Sequence, residues 1–264
     1  MDNYKEILIS LARKAGEEIL NFYGKNYTTN FKIDDSPVTD ADLAANKIIV
    51  EGLSNTDIPI ISEESANMSY SERKDLKEYW LVDPLDGTKQ FVRNEDEFTV
   101  NIARILDNSP VEGVVYAPAH KKLYYGNLKD GAHLYNYKAS VEIVSKLPLA
   151  NQEGLSLIIS KSHLNDATRE FVEKVRSKYS NIEICRVGSS LKFCCLAEGH
   201  SDIYPRIGSI SEWDIASGHA VLKSAGGKVI NIATGEEIIY NTKDMKTPDF
   251  IAFLDESKYN LLFE

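Results

Sequence analysis

Three acidic segments carry most of the side chains in this sequence that could do chemistry. Asp83-Pro84-Leu85-Asp86-Gly87-Thr88 follows the apolar run Tyr79-Trp80-Leu81-Val82, and Glu63-Glu64 follows Ile60-Ile61-Ser62. Ser211-Glu212-Trp213-Asp214 leads into a helical pattern. Proline fixes its own φ and restricts the residue before it, so Asp83 and Asp86 are presented in a defined relation. Gly87 lets backbone approach a ligand closely, and Thr88 can open a helix whose free N–H groups face an anion. Carboxylates for cations beside amides for phosphate suit metal-assisted phosphoryl chemistry. The structural alternative is an Asp-rich turn, a solvated strand end and a dipole-favoured first-turn acid. The chain's two tryptophans, Trp80 and Trp213, lie beside two of these segments.

These side chains need elements to converge them. Tyr4, Ile7, Leu8, Leu11, Ala15, Ile19 and Phe22 recur at helical spacing up to Gly24,. A strand is expected over residues 27–33, then a helix capped by Thr39 or Asp40, with Asp42 in its first turn. The short apolar runs at 58–61 and 79–82 read as strands. Alternating segments near 98–106, 111–118, 122–128 and 132–135 then read as an antiparallel sheet. Residues 140–154 look like a boundary, giving an N-terminal α+β lobe over 1–145 and a C-terminal α/β lobe over 146–264. In the second lobe, strand and helix patterns alternate, and a helix from Asp214 ends at Gly226-Gly227, a left-handed cap.

Composition narrows the setting. The 264 residues are 43% hydrophobic and 27% charged, enough for a substantial core, and the formal charge of −10 opposes a grip on nucleic-acid polymer,. A small anionic substrate is compatible, because bound cations invert the local field. There is no basic n-region with an apolar run and no stretch long enough to span a bilayer, so the expectation is a cytoplasmic protein. Peripheral membrane association stays open, as does monomer against homodimer. Cys185, Cys194 and Cys195 have no metal-knuckle spacing and read as free thiols,. His120, His133, His200 and His219 suggest no metal site.

The ordered strings YWLVDPLDGTKQF, EFTVNIA, GVVYAP, SKSH, VGSSLKFC, AEG, YPRIG and EWDIASGHAV, with Glu63-Glu64 upstream, resemble the lithium-sensitive, magnesium-dependent inositol monophosphatase superfamily over essentially the whole chain. Within it they are most similar to the bacterial 3′(2′),5′-bisphosphate nucleotidase branch. The resemblance implies a layered αβαβα sandwich with an antiparallel N-terminal sheet and a mixed C-terminal sheet. It implies two or three Mg²⁺ ions: one on Glu63, Asp83 and the Leu85 carbonyl, and a second on Asp83, Asp86 and Asp214. Asp42 and Glu63 would serve a looser third ion through water. Glu63, Asp42 and Thr88 would be catalytic, with Gly87 and Thr88 amides on the phosphate. Ser160, His163, Gly188, Ser189, Lys192 and Arg206 would contact the nucleotide. The implied reaction is hydrolysis of adenosine 3′,5′-bisphosphate to AMP and phosphate, with the sulfated analogue as a second substrate and a link to sulfur assimilation. Lys89-Gln90 and Ser190-Leu191-Lys192 favour a nucleotide over an inositol or sugar phosphate. A non-catalytic nucleotide sensor would not need the full acidic set. Gln90 stands where the branch usually has Glu, which puts a salt bridge or the substrate rim in question.

Overall fold

The computed structural model describes residues 4–25, 27–32, 37–65, 68–138, 141–150, 154–162, 164–179 and 181–262. The amphipathic period near the N-terminus forms α1 (Lys5–Phe22), which buries Leu8, Leu11, Ala12, Ala15 and Ile19. A short antiparallel pair follows, β1 (Thr29–Phe31) with β2 (Pro37–Thr39). Thr39 then caps α2 (Asp40–Leu53) through a reciprocal capping box with Asp42,. The two helices lie side by side on one face of a seven-stranded sheet.

That sheet is built from β3 (Ile60–Ser62), then, beyond α3 (Tyr70–Arg73), β4 (Glu78–Asp86). The short α4 (Thr88–Val92) leads on to β5 (Thr99–Leu106), β6 (Ser109–Ala117), β7 (Lys122–Asn127), β8 (Gly131–Lys138) and β9 (Val141–Lys146). Neighbours in the sheet follow chain order. All pairs are antiparallel except β3 with β4, which run parallel. That exception matters, because the parallel register brings Glu63, just past β3, and Asp83, within β4, to the same end of the pair. β9 lies inside the stretch expected to be a boundary; its exposed, mixed residues gave no clean alternation.

The C-terminal sheet has β11 (Ile182–Val187), β10 (Leu155–Ser160), β12 (Ile203–Arg206), β14 (Phe250–Phe253) and β13 (Lys228–Asn231) in that spatial order. Its first three strands are parallel, and β14 pairs antiparallel with both neighbours. The sheet is therefore mixed, as expected. Between the sheets lie α6 (Leu191–Glu198) and α7 (Trp213–Ser224), while α5 (Asp166–Lys178) and α8 (Glu256–Asn260) belong to the outer layer. The layers run αβαβα.

Two large cores flank the seven-stranded sheet. Trp80, Val82, Val100 and Ile102 point to α1 and α2, whereas Tyr79, Leu81, Ala103 and Ile105 point to α6 and α7. Strand alternation thus places Asp83, two residues beyond Leu81, on the α7 face. Gly113 and Gly126 let α7 sit close: an added Cβ would come within 2.8 Å of Ala220 Cβ and 2.6 Å of Val221 Cα. Cys194 is buried and all three cysteines are free thiols. Burial pushes the Cys195 thiol up to about 12, so it is chemically quiet,. Among the described residues, no helix is long and apolar enough to cross a membrane.

Candidate active site

Glu63 leaves the end of β3, Asp83 sits at an irregularity of β4 between Asp83 and Asp86, and Asp214 occupies the first turn of α7. Their carboxylate oxygens come within 4.8 Å of one another. Asp83 and Asp214 are both held well above the ordinary carboxylate range, chiefly by burial and then by neighbouring acids,. Asp86 is raised to about 6 by burial, opposed by the Lys192 charge and by the Ser190 N–H, which donates to its Oδ2 at 2.6 Å. Like charges gathered out of water are costly unless a cation or protons neutralise them. Hard oxygen donors in this number suit a divalent ion such as Mg²⁺. The donor set therefore fits the expected cofactor.

Asp42 completes the acidic side. Its Oδ2 accepts from the Thr39 N–H at 2.8 Å and hydroxyl at 2.5 Å, and its Oδ1 accepts from Thr88 Oγ1 at 3.1 Å. Burial raises it to about 6, against those hydrogen bonds. The Thr88 hydroxyl also lies 3.1 Å from the Leu85 carbonyl oxygen, and Leu85 donates its N–H to Asp83 Oδ1 at 3.1 Å. Gly87 turns the chain between them with φ of +93°, and an added Cβ would lie 2.8 Å from the Glu97 carbonyl oxygen. Only glycine suits that position.

A cleft of about 400 Å³ opens onto these groups, and basic side chains line it too, Lys192 and Arg206 among them. Lys192 is buried, donates to the Ser189 carbonyl, and holds its ammonium 5.4 Å from the Tyr204 ring centroid. Burial pulls it down to about 8 despite the Asp86 charge. Arg206 ends β12 and gives its Nε–H to the Gly208 carbonyl at 3.0 Å. Ser160 ends β10 and Ser189 begins the turn into α6, both lining the same cleft. Gly188 packs against the side chains of Gln90 and Glu97. His163 lies outside the described residues.

One match settles the family: the model of the inositol monophosphatase family matches residues 1–257. The chain belongs to the inositol monophosphatase family. Among relatives, it is 43% identical over 226 residues to the 3′(2′),5′-bisphosphate nucleotidase CysQ of Buchnera aphidicola, covering 84% of this chain and 82% of that protein. It is 41% identical over 228 residues to CysQ of Salmonella typhimurium, covering 85% and 89%. The crystal structure of CysQ from Bacteroides thetaiotaomicron, a bacterial member of this family, superposes with a TM-score of 0.86 at 37% identity, covering 95% of this chain and 97% of that one.

Asp214 joins Glu63 and Asp83 in the compact trio, while Asp86 is turned to the Ser190 N–H. Trp80 is not at the site: its Nε1 donates to Thr56 Oγ1 at 2.9 Å on the opposite face of β4, since neighbouring strand residues alternate,. Gln90 ties α4 to the residues after β10 by donating to Ser162 Oγ at 2.7 Å.

Sequence reasoning also missed several residues. Lys32 pairs with Glu63 at 2.7 Å and Glu64 at 2.6 Å. Burial works against that ammonium, but the two carboxylates outweigh it and raise it. Ser190 ties α6 to β5 by donating to Asn101 Oδ1 and sharing a hydrogen bond with Thr99, both at 2.8 Å. Lys246 and Tyr204 line the cleft as well. A lone lysine between acidic motifs carried no spacing that could have marked it.

Proposed function

We propose that this chain is a Mg²⁺-dependent phosphatase that removes the 3′-phosphate of adenosine 3′,5′-bisphosphate, giving AMP and phosphate, with the sulfated analogue as a second substrate. One observation supports it above the others: a single cleft is lined both by the carboxylates and by buried or anchored cations. The first suits a metal-held phosphate and the second suits a further anionic group on the same small molecule. The names of the CysQ relatives point to the same substrate.

In this reading Glu63, Asp83, Asp86, Asp214 and the Leu85 carbonyl hold two or three ions. When bound, such ions lower the pKa of a water and stabilise charge on the transferring and leaving oxygens. The chain's own groups handle the proton. Thr88 Oγ lies between Asp42 and the Leu85 carbonyl, so it can take a proton from the attacking water as it passes its own to Asp42,. At neutral pH the Asp42 carboxylate, raised only to about 6, is ionised and can accept it. Glu63 is the second candidate base. The Gly87 and Thr88 amides receive phosphate oxygens, and Ser160, His163, Gly188, Ser189, Lys192 and Arg206 hold the nucleotide. The division into lobes at 145/146 belongs to the same proposal: the first lobe brings most metal ligands, the second Asp214 and the nucleotide contacts.

Side-by-side kcat/KM values test the substrate, because specificity is a ratio between competitors. Adenosine 3′,5′-bisphosphate is expected to exceed inositol 1-phosphate and fructose 1,6-bisphosphate by at least roughly a hundredfold. Faster turnover of either competitor would replace the nucleotide assignment.

A further inference from the structure

Lys246 stands outside every motif that carried the family resemblance, yet it lines the cleft beside Arg206, Lys192 and Asp214. Its placement is built. Ser211 and Lys246 form an antiparallel bridge; the Glu212 N–H donates to the Met245 carbonyl and the Thr247 N–H to the Ile210 carbonyl, each at 2.9 Å. The buried Glu212 carboxylate then accepts the N–H groups of Asn241 and Thr242 at 2.8 Å and the Thr242 hydroxyl at 2.6 Å. A turn that would otherwise be a free surface loop is thereby fixed to the start of α7. It presents an exposed lysine at the cleft.

The cations of this cleft differ in what they have left to give. Lys192 is buried, already donates to a carbonyl and is pulled down to about 8. Arg206 has committed its Nε–H to Gly208. Lys246 donates one N–H to Ser211 Oγ at 2.8 Å, and an ammonium has three,. Two donors remain for a ligand, on a stem long enough to follow it.

We infer that Lys246 is a specificity-determining residue that binds the phosphate left uncleaved, and so sets the preference for a bisphosphorylated over a monophosphorylated nucleotide. This rests on the nucleotide bisphosphate reading above. With one phosphate held by the carboxylate trio, the second must be met by other groups lining the same cleft, and charge-assisted hydrogen bonds from an ammonium to phosphate are among the stronger ones available,. A substrate with a single phosphate leaves Lys246 with nothing to bind.

The test compares adenosine 3′,5′-bisphosphate with adenosine 3′-monophosphate in the Mg²⁺-loaded full chain. The wild type is expected to favour the bisphosphate. In Lys246→Met, which keeps the stem and removes the charge, the kcat/KM ratio between the two substrates falls roughly tenfold, most of it in KM for the bisphosphate. Lys246→Arg keeps the preference within about threefold. A wild-type preference retained in Lys246→Met overturns this inference alone. So does a parallel loss on both substrates, which would mean that Lys246 acts through Asp214. A wild type indifferent to the second phosphate overturns the bisphosphate reading and this inference with it.

Discussion

Each acidic residue of the site is costly to the fold without a counter-ion, and that cost is measurable. Asp42 and Asp86 are raised to about 6, and Asp83 and Asp214 well above the ordinary range, all chiefly by burial. In the unfolded chain such carboxylates titrate near about 3.9. Between that value and the folded values the native state holds more protons, so stability falls as pH rises through the window. His219 and His133 pull the other way, since burial depresses both imidazoles, but they are two groups against four. Chelator-treated protein is therefore expected to melt lower at pH 7.5 than at pH 5.5. Saturating Mg²⁺ should narrow the gap by binding only the native form. A melting temperature without metal that is flat or rising over that range would refute the charge burden. The identities of these acids were legible because Asp-Pro-Leu-Asp-Gly-Thr is a rigid, recognisable string. The approach of Asp214 to Glu63 and Asp83 was not legible from spacing, because it depends on where α7 docks.

At the scale of elements, the site is held by a few connections that short sequence windows conceal. The parallel β3–β4 pair brings Glu63 and Asp83 to one end, and the Glu212 carboxylate staples residues 241–242 to the first turn of α7. Glu212, to which the sequence alone assigned no role, is 1% exposed and accepts three hydrogen bonds. Glu212→Ala strips partners from two backbone N–H groups and a hydroxyl, with an expected loss of about 3 kcal/mol in urea denaturation. A loss below about 1 kcal/mol would mean that the turn is held by its backbone bridge alone. Helices with a clean apolar period, α1 above all, were legible in the sequence, as was the Gly226-Gly227 end of α7. β9, β13 and β14 were not: the first lacks alternation, and the last two are four-residue strands whose partners lie far along the chain.

For the molecule as a whole, five layers bring together segments more than 180 residues apart, from Glu63 to Lys246. The arrangement leaves a strongly acidic chain with a cleft lined by both carboxylates and cations, with Lys192, Arg206 and Lys246 among the latter. Overall net charge said nothing about those cations, which α6, β12 and the turn carrying Lys246 bring to the same cleft as the carboxylates. Metal-dependent hydrolysis at this cleft is what joins these features. Its most direct test is phosphate release from adenosine 3′,5′-bisphosphate by wild type and Asp83→Asn, each with Mg²⁺ and with chelator. The expected result is turnover by wild type in Mg²⁺ only, and a loss of at least about a thousandfold in Asp83→Asn with its fold intact by circular dichroism. Near-native activity in Asp83→Asn, or release by the wild type that survives chelation, would contradict it.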